Sequence, residues 1–357
     1  MKNYIENIEL YKKINLGAEA LRLYVKNQKY YDIGDWSERN QINLGLLYDN
    51  FNVLNLENLE NFRGKQIYVS DYPSVALKNI YFKNKIFYRF MSIINYLIGS
   101  RRGELRLIKK QLAIVEKEGA IRILAANEDS AIGNPMHYRH KSKNLTGRYL
   151  RHIYFYSIFE KIISRELPND FIGLDIGSSY GVFSGLIKFN IPQSKHILVD
   201  LEGQMILAEY YLSNKFPDLK IANASDILAN GIIDSEFISK YDFILVPVEL
   251  FDFLKDAKVD LVTNFLSLGE MSRYWFNKYI NSNVFKSSRF LFTVNRYDSA
   301  PTYNNGLTVL DYPFQNYTTI RMQNCLFFVA YVKKALLFFY KLKPHTSGVF
   351  EYIGVRK

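Results

Sequence analysis

The spacing of apolar positions changes along the chain near residue 168. Before it the period is helical. Leu105, Ile108, Leu112 and Val115 mark one helix face, and Gly119 stands where a C-cap is expected. Ile86–Ser100 reads as a further helix, apolar on most sides with basic residues at both ends. A buried helix is the expected reading there, with a segment lying on a membrane surface as the alternative. The stretch "NEDSAIGNPMHYRHKSKNLTG" is polar and rich in turn residues, which marks a boundary or a functional loop. A helix is then predicted from Arg148 to Arg165, with Leu150, Ile153, Tyr154 and Ile158 on one side.

From Pro168 onward, short β-branched runs alternate with helical stretches, and that alternation predicts a parallel sheet covered by helices on both faces. Strands are expected at Phe171–Ile176, at "HILVD" ending in Asp200, at Asp242–Val246, at Val259–Asn264, at "SRFLFTVNRY" and at the terminal "VFEYIGVRK". A rival register takes "LKIANASD" as the third strand, which would bring Ser225 and Asp226 to its end. The register at Asp242–Val246 is preferred because it leaves a short helical connection before the fourth strand and makes 219–241 an insertion. The fold class is therefore α/β, with a mainly helical N-terminal domain at 1–125, a connecting loop and helix at 126–166, and the sheet domain at 167–357.

Composition narrows this picture. At 48% apolar residues the chain can fill such a core, and no run approaches the roughly 18 apolar residues of a spanning helix. The opening "MKNYIENIELYKK" is charged where a signal peptide is apolar, so a cytoplasmic protein is expected, with the inner face of the membrane as a second place. One cysteine, Cys325, excludes an intramolecular disulfide and a cysteine-cluster metal site. The net charge of +11 suits an anionic partner or substrate, but the basic residues are spread along the chain, and nucleic acid is not the expected partner.

The candidate chemistry sits in "FIGLDIGSSYGVFSGLIKF". Glycines at a strand–turn–helix junction let the backbone approach a ligand and leave helix N-terminal amides free. Asp200 ends the next strand about 25 residues after Asp175, where an acid can accept both hydroxyls of a ribose. The turn lacks the G-x-G-x-x-G spacing that receives a pyrophosphate, and Asp175 would repel one. "LDIGSSYG" resembles the first motif of class I S-adenosylmethionine-dependent methyltransferases, with Ser179 in place of the middle glycine. The resemblance implies a Rossmann-like seven-stranded sheet and S-adenosylmethionine as cofactor. It also implies that Asp175, Gly177, Ser178, Ser179 and Gly181 wrap the methionine and ribose portions, and that Asp200 with Leu201 takes the ribose. Pro247, Val248 and Glu249 would line the adenine, and Asn264 would also contact the cofactor.

"VDLVTNFLSLGEM", "YWFNKYI", "FLFTVNRY" and the upstream "IGNP" at Ile132–Pro135 are similar to a bacterial family of sugar O-methyltransferases associated with surface-polysaccharide assembly. That resemblance covers most of 126–357 and implies a sugar or glycan acceptor, free, nucleotide-linked or lipid-linked. A sugar hydroxyl is a poor nucleophile, so a general base helps. Position beyond the fourth strand nominates Glu270, with His137 and His140 of the preceding loop as further candidates. Asn295 and Arg296, beyond the fifth strand, would orient the acceptor. Asp252 and Glu249 could contribute to a magnesium site, but no tight His/Asp/Glu cluster demands a metal and none is expected. His196 reads as structural. The 126–166 segment is expected to act as an acceptor-site lid, and the N-terminal helices to cover the acceptor side of the sheet. Two other readings remain open from sequence: an RNA methyltransferase, and a non-catalytic protein that uses the fold to bind a partner.

Overall fold

A computed structural model describes residues 2–26, 36–49, 53–69, 100–140, 142–328, 330–336, 339–345 and 348–357. The expected helix Ile86–Ser100 lies, except for its last residue, outside the described residues. The helices are α1 (Lys2–Lys26), α2 (Trp36–Leu47), α3 (Leu56–Glu60), α4 (Ser100–Lys117), α5 (Ile121–Ala126) and α6 (Gly147–Ile162). A small hairpin, β1 (Tyr138–His140) and β2 (Lys143–Leu145), precedes α6. Then come β3 (Ile172–Ile176), α7 (Val182–Asn190), β4 (Lys195–Asp200), α8 (Glu202–Lys215), β5 (Ile221–Ala222), α9 (Ala224–Asn230), α10 (Ser235–Ser239), β6 (Phe243–Pro247) and β7 (Leu261–Phe265). The chain continues through α11 (Arg273–Asn281), α12 (Asn283–Ser287), β8 (Phe290–Arg296), β9 (Tyr317–Asn324), β10 (Ala330–Leu336), β11 (Phe339–His345) and β12 (Val349–Arg356).

Eight strands form the main sheet in the order β5-β6-β4-β3-β7-β8-β12-β9, and β10 and β11 form a separate hairpin. The pairs from β5 to β8 are parallel, whereas β12 runs antiparallel to both β8 and β9. The sheet thus has one strand more than the seven expected. The addition is β5, a two-residue edge strand in the "LKIANASD" segment that pairs outside β6. β6, the preferred third strand, pairs directly with β4.

Alternation along each strand divides the interior into two cores. Leu198, Phe243 and Leu245 face one side with residues of α6, α7 and α8. Ile197, Val199, Ile244 and Val246 face the other with residues of α9, α10, α11 and α12. This is the layered arrangement that doubly covered parallel strands require, since both faces must be removed from water.

The N-terminal helices dock beside the β5 edge. Lys13 donates to the Ile221 carbonyl and stands 3.8 Å from the buried Glu209. Asn223 Nδ2 donates to the Lys13 carbonyl at 3.1 Å and to Glu209 at 3.0 Å. α1 therefore extends the sheet's flank and does not roof its acceptor side. Of the described residues before 126, Tyr68 is the one that reaches the cavity described below.

The start of α6 is held by a buried ion pair. Arg63 Nη2 donates to both Asp129 oxygens, at 3.0 and 2.9 Å, and Arg63 Nη1 donates to the Ser130 carbonyl at 2.7 Å. Thr146 caps α6 by accepting the Tyr149 amide, and its hydroxyl donates to Asp129 at 2.7 Å. The "IGNP" segment serves this clamp. The Gly133 carbonyl accepts the amides of Arg63 and Gly64, and a Cβ on Gly133, at φ +80°, would lie 2.5 Å from the Phe62 ring. A buried pair that loses one partner leaves an uncompensated charge. Asp129→Ala is therefore expected to lower stability by about 3–5 kcal/mol, read by urea denaturation. The double change Asp129→Leu with Arg63→Met should recover much of that loss. A single variant indistinguishable from the parent would refute the clamp.

Candidate functional site

The parallel strands reverse their order between β3 and β7, the switch point at which ligands of open α/β sheets bind, beyond the carboxyl ends of the strands. A cavity of about 260 Å³ opens there. Its floor is the turn after β3 with Asp175, Gly177, Ser178 and Ser179. One wall carries Val199, Asp200, Leu201 and Gln204, another Phe265, Leu266, Ser267, Glu270 and Met271, and Val248, Trp275 and Tyr279 complete the sheet side. Arg148, Arg151 and His152 face it from α6, and Tyr68 from the N-terminal region.

The floor needs glycine. Gly177 has φ +73°, and a Cβ there would fall 2.0 Å from Ser267 Oγ. The turn after β3 and the loop after β7 are therefore in direct contact. Two asparagines lock that contact from below. Asn264 Nδ2 donates to the Ile176 carbonyl at 2.6 Å, and its Oδ1 accepts the Leu268 amide and Asn295 Nδ2. Asn295 also accepts the Gly269 amide. Asn264 and Asn295, expected to touch cofactor and acceptor, are both buried beneath the cavity. They position the 266–270 loop.

Four acidic groups lie on or beside the cavity in different states: Asp175, Asp200 and Glu270 line it, and Glu249 follows the lining residue Val248. Asp175 interrupts an apolar strand and points to the α7 side, where Thr263 donates to Oδ1 at 2.8 Å and Ser184 to Oδ2 at 3.2 Å. Burial pushes its carboxyl up to about 7, against the pull of the two hydroxyls. Asp200 accepts the Ser179 amide at 2.7 Å and the Leu201 amide at 2.8 Å, tying the ends of β3 and β4 together. Burial raises it to about 6, opposed by those amides and by Arg148. Glu249, just past β6, is raised to about 7 by burial, with the Glu202 charge adding, and its Oε2 is buried with no hydrogen-bond partner among the described residues. Glu270 differs: Arg296 Nη1 donates to its Oε1, so one carboxylate oxygen is already engaged.

The other sequence candidates are placed elsewhere. Gly181, at φ +81°, begins α7 and abuts Leu198 and Leu212, behind the floor. Pro247 ends β6 opposite Asp200 in register, and Val248 carries the wall forward from it. His137 belongs to the Arg63 clamp, its Nε2 3.8 Å from Asp129, and His140 ends β1; neither lines the cavity. Asp252 pairs with Lys278 at 2.9 Å, and among the described residues no group of three His, Cys, Asp or Glu side chains converges on a common point. His196 bonds Ser194 Oγ at 2.8 Å within the core.

Sequence reasoning passed over Arg148, Arg151 and His152. The signal was available: three cationic or titratable side chains at i, i+3 and i+4 share one face of an otherwise apolar helix. Arg148 Nη1 donates to Ser179 Oγ at 3.2 Å, and Ser179 Oγ in turn donates to Gln204 Oε1 at 3.2 Å. Residues 126–166 thus supply a wall of the cavity through α6, whereas the loop ahead of it forms the clamp.

No protein-family model matches the chain, and no curated protein sequence matches it. Solved structures with a similar fold include the PH0226 protein from Pyrococcus horikoshii OT3, at 11% identity over 57% of this chain and 92% of that one, with a TM-score of 0.34. The mitomycin 7-O-methyltransferase MmcR is 10% identical over 59% of this chain and 57% of its own length, with a TM-score of 0.32. PKMT2 from Rickettsia typhi, in complex with AdoHcy, is 18% identical over 39% of this chain and 23% of that one, with a TM-score of 0.27. At scores this low these likenesses carry no argument about the site, whose reading rests on its own geometry.

The raised Asp175 carboxyl has a consequence for stability. The native state holds a proton that the unfolded chain releases at the ordinary carboxyl value, so stability falls as pH rises from about 4 to about 7. Asp175→Asn removes that loss. Denaturation curves should show the variant more stable than the parent at about pH 8, with the difference vanishing below about pH 4. A variant less stable than the parent at pH 8 would contradict this account of the burial.

Proposed function

We propose that the protein is an S-adenosylmethionine-dependent methyltransferase that methylates a hydroxyl of a sugar in a glycan or its precursor. The observation that carries the cofactor reading is a set of three acids with raised proton affinity: Asp175, buried, and Asp200, half-buried, on the cavity, and Glu249, half-buried, beside it. None of them has a salt-bridge partner among the described residues. Carboxyls with raised proton affinity suit a ligand that brings positive charge and hydrogen-bond donors. S-adenosylmethionine offers a sulfonium, an ammonium, two ribose hydroxyls and an adenine amine.

The residues fit that group. Asp200 keeps unused lone pairs for ribose hydroxyls while two backbone amides hold it in place. The orphaned Glu249 Oε2 suits an amine donor, and Arg148 beside Ser179 suits a carboxylate. Asp175 suits the cationic end, and Gly177, with no Cβ to strike Ser267, lets the turn and the 266–270 loop close together beneath it. Bound there, the cofactor supplies an activated methyl group. The chain's own task is to orient the acceptor beside it and to exclude water.

The acceptor side is the part of the cavity bounded by Glu270, Met271, Arg151 and His152. The Glu270–Arg296 pair joins the loop after β7 to the end of β8 and leaves the second Glu270 carboxylate oxygen to hold a sugar hydroxyl on the cavity. Three of the four motifs similar to sugar O-methyltransferases lie on β7 and the loop after it, α11 and β8, around this part of the cavity, which supports a sugar acceptor. Nucleotide-linked or lipid-linked sugars made in the cytoplasm are the natural substrates of this reading. Among the described residues no helix is long and apolar enough to cross a membrane.

Incubation with S-adenosylmethionine labelled at the methyl group, against nucleotide sugars, lipid-linked oligosaccharides, surface glycan and bulk RNA, tests the proposal. Label is expected in an alkali-stable ether on sugar, falling about 100-fold or more in Glu270→Ala, the range that loss of a positioning contact costs. Label confined to RNA would replace the sugar reading with the nucleic-acid one.

A further inference from the structure

Among the described histidines, His152 alone borders the cavity. It lies on α6, is 7% exposed, and its Nδ1 is buried without a hydrogen-bond partner among the described residues. Nδ1 is thus closed off, and Nε2, which is neither enclosed nor hydrogen-bonded among the described residues, is the ring nitrogen that meets the cavity. Its ring packs edge-on to Phe265, at the end of β7, with centroids 6.5 Å apart, and lies 6.4 Å from Phe183 at the start of α7. Those contacts place the imidazole over the switch point between β3 and β7, between the turn of Asp175 and the loop of Glu270.

Resting on the methyltransferase reading above, we propose that His152 is the general base that takes the acceptor's proton. The imidazole accepts the hydroxyl proton as the oxygen lone pair forms the new O–CH3 bond and the C–S electron pair returns to sulfur, leaving S-adenosylhomocysteine. The imidazolium then passes its proton to solvent. Charged groups on the same cavity are Arg148 and Arg151 from its own helix, Asp175 and Asp200 from the sheet, and Glu270 after β7. Burial, with the charges of Arg151 and Arg148 adding, holds the imidazole well below its ordinary value of 6.5. It is therefore neutral before the methyl group is transferred. Glu270 is less suited to that role because Arg296 already occupies one of its oxygens.

A test that needs no identified acceptor compares two cofactor analogues. S-adenosylhomocysteine carries nothing at the transferred position, whereas sinefungin carries a protonated amine there, which a neutral imidazole would accept. In His152→Phe, which keeps the aromatic packing, calorimetry should show sinefungin losing about tenfold in affinity while S-adenosylhomocysteine is unchanged, the worth of one charge-assisted hydrogen bond. His152→Gln should lose less, and it carries the comparison if the Phe variant does not fold. In the parent protein labelled with 15N-histidine, sinefungin and not S-adenosylhomocysteine should shift the His152 ring nitrogens. Equal effects on both ligands, or no shift with sinefungin bound, would overturn the role of His152 and leave the cofactor reading standing. A folded parent that binds neither ligand would instead remove the cofactor reading, and this inference with it.

Discussion

The cost of burying the Asp175 carboxyl inside an apolar strand shapes much of the site. An acid between Leu174 and Ile176 is tolerable only because β7 supplies Thr263 and α7 supplies Ser184 to donate to it. Even so, its charge remains disfavoured. Asp200, one strand over, has the same problem and a different solution: two backbone amides, one of them from the turn that Asp175 leads into. These bonds join the ends of β3, β4 and β7 into one floor beneath the cavity. Such a floor suits positive charge and hydrogen-bond donors, which is the basis of the cofactor reading proposed above.

Around the floor, the walls depend on packing that has no chemistry of its own. The buried Arg63–Asp129 pair and the Thr146 cap fix where α6 begins, and the register of that helix decides that Arg148, Arg151 and His152 face inward. Opposite them, the Asn264–Asn295 pair fixes the 266–270 loop, and the Glu270–Arg296 pair bridges its rim. The cavity is thus bounded by groups held from behind, as orientation-dependent chemistry requires. On the flank, α1 and the 219–241 segment thicken the edge of the sheet around β5 and stay clear of the acceptor side.

Much of the α/β domain was legible in the sequence because its strands are buried on both faces and read as continuous apolar runs. β3, β4, β6 and β7 fall within one or two residues of their expected places, as does α6 at its N-terminal end. β9 was not legible: its "YTTIRMQN" lies at the sheet edge with mostly exposed side chains, so no burial pattern marks it. β5 was read as an alternative third strand because its apolar pair is too short to reveal that it sits one position further out. The floor residues of the candidate site could be named because they lie on one local motif. Asn264 and Asn295 could not be told from ligand-contacting residues, since only the tertiary structure shows that they face each other below the cavity. Tyr68 comes from a distant segment and no local spacing announces its approach, whereas the helical spacing of Arg148, Arg151 and His152 was readable on α6.

The central claim is that the acids at the ends of β3 and β4 and just past β6 form a site for S-adenosylmethionine. Calorimetric titration of S-adenosylmethionine and S-adenosylhomocysteine into the parent protein and Asp200→Ala tests it most directly. The account predicts saturable one-to-one binding by the parent, weakened about tenfold or more when the carboxylate is removed, as expected for the loss of charge-assisted bonds to hydroxyls. A folded protein that binds neither compound, or an Asp200→Ala variant that binds both as well as the parent, would contradict it.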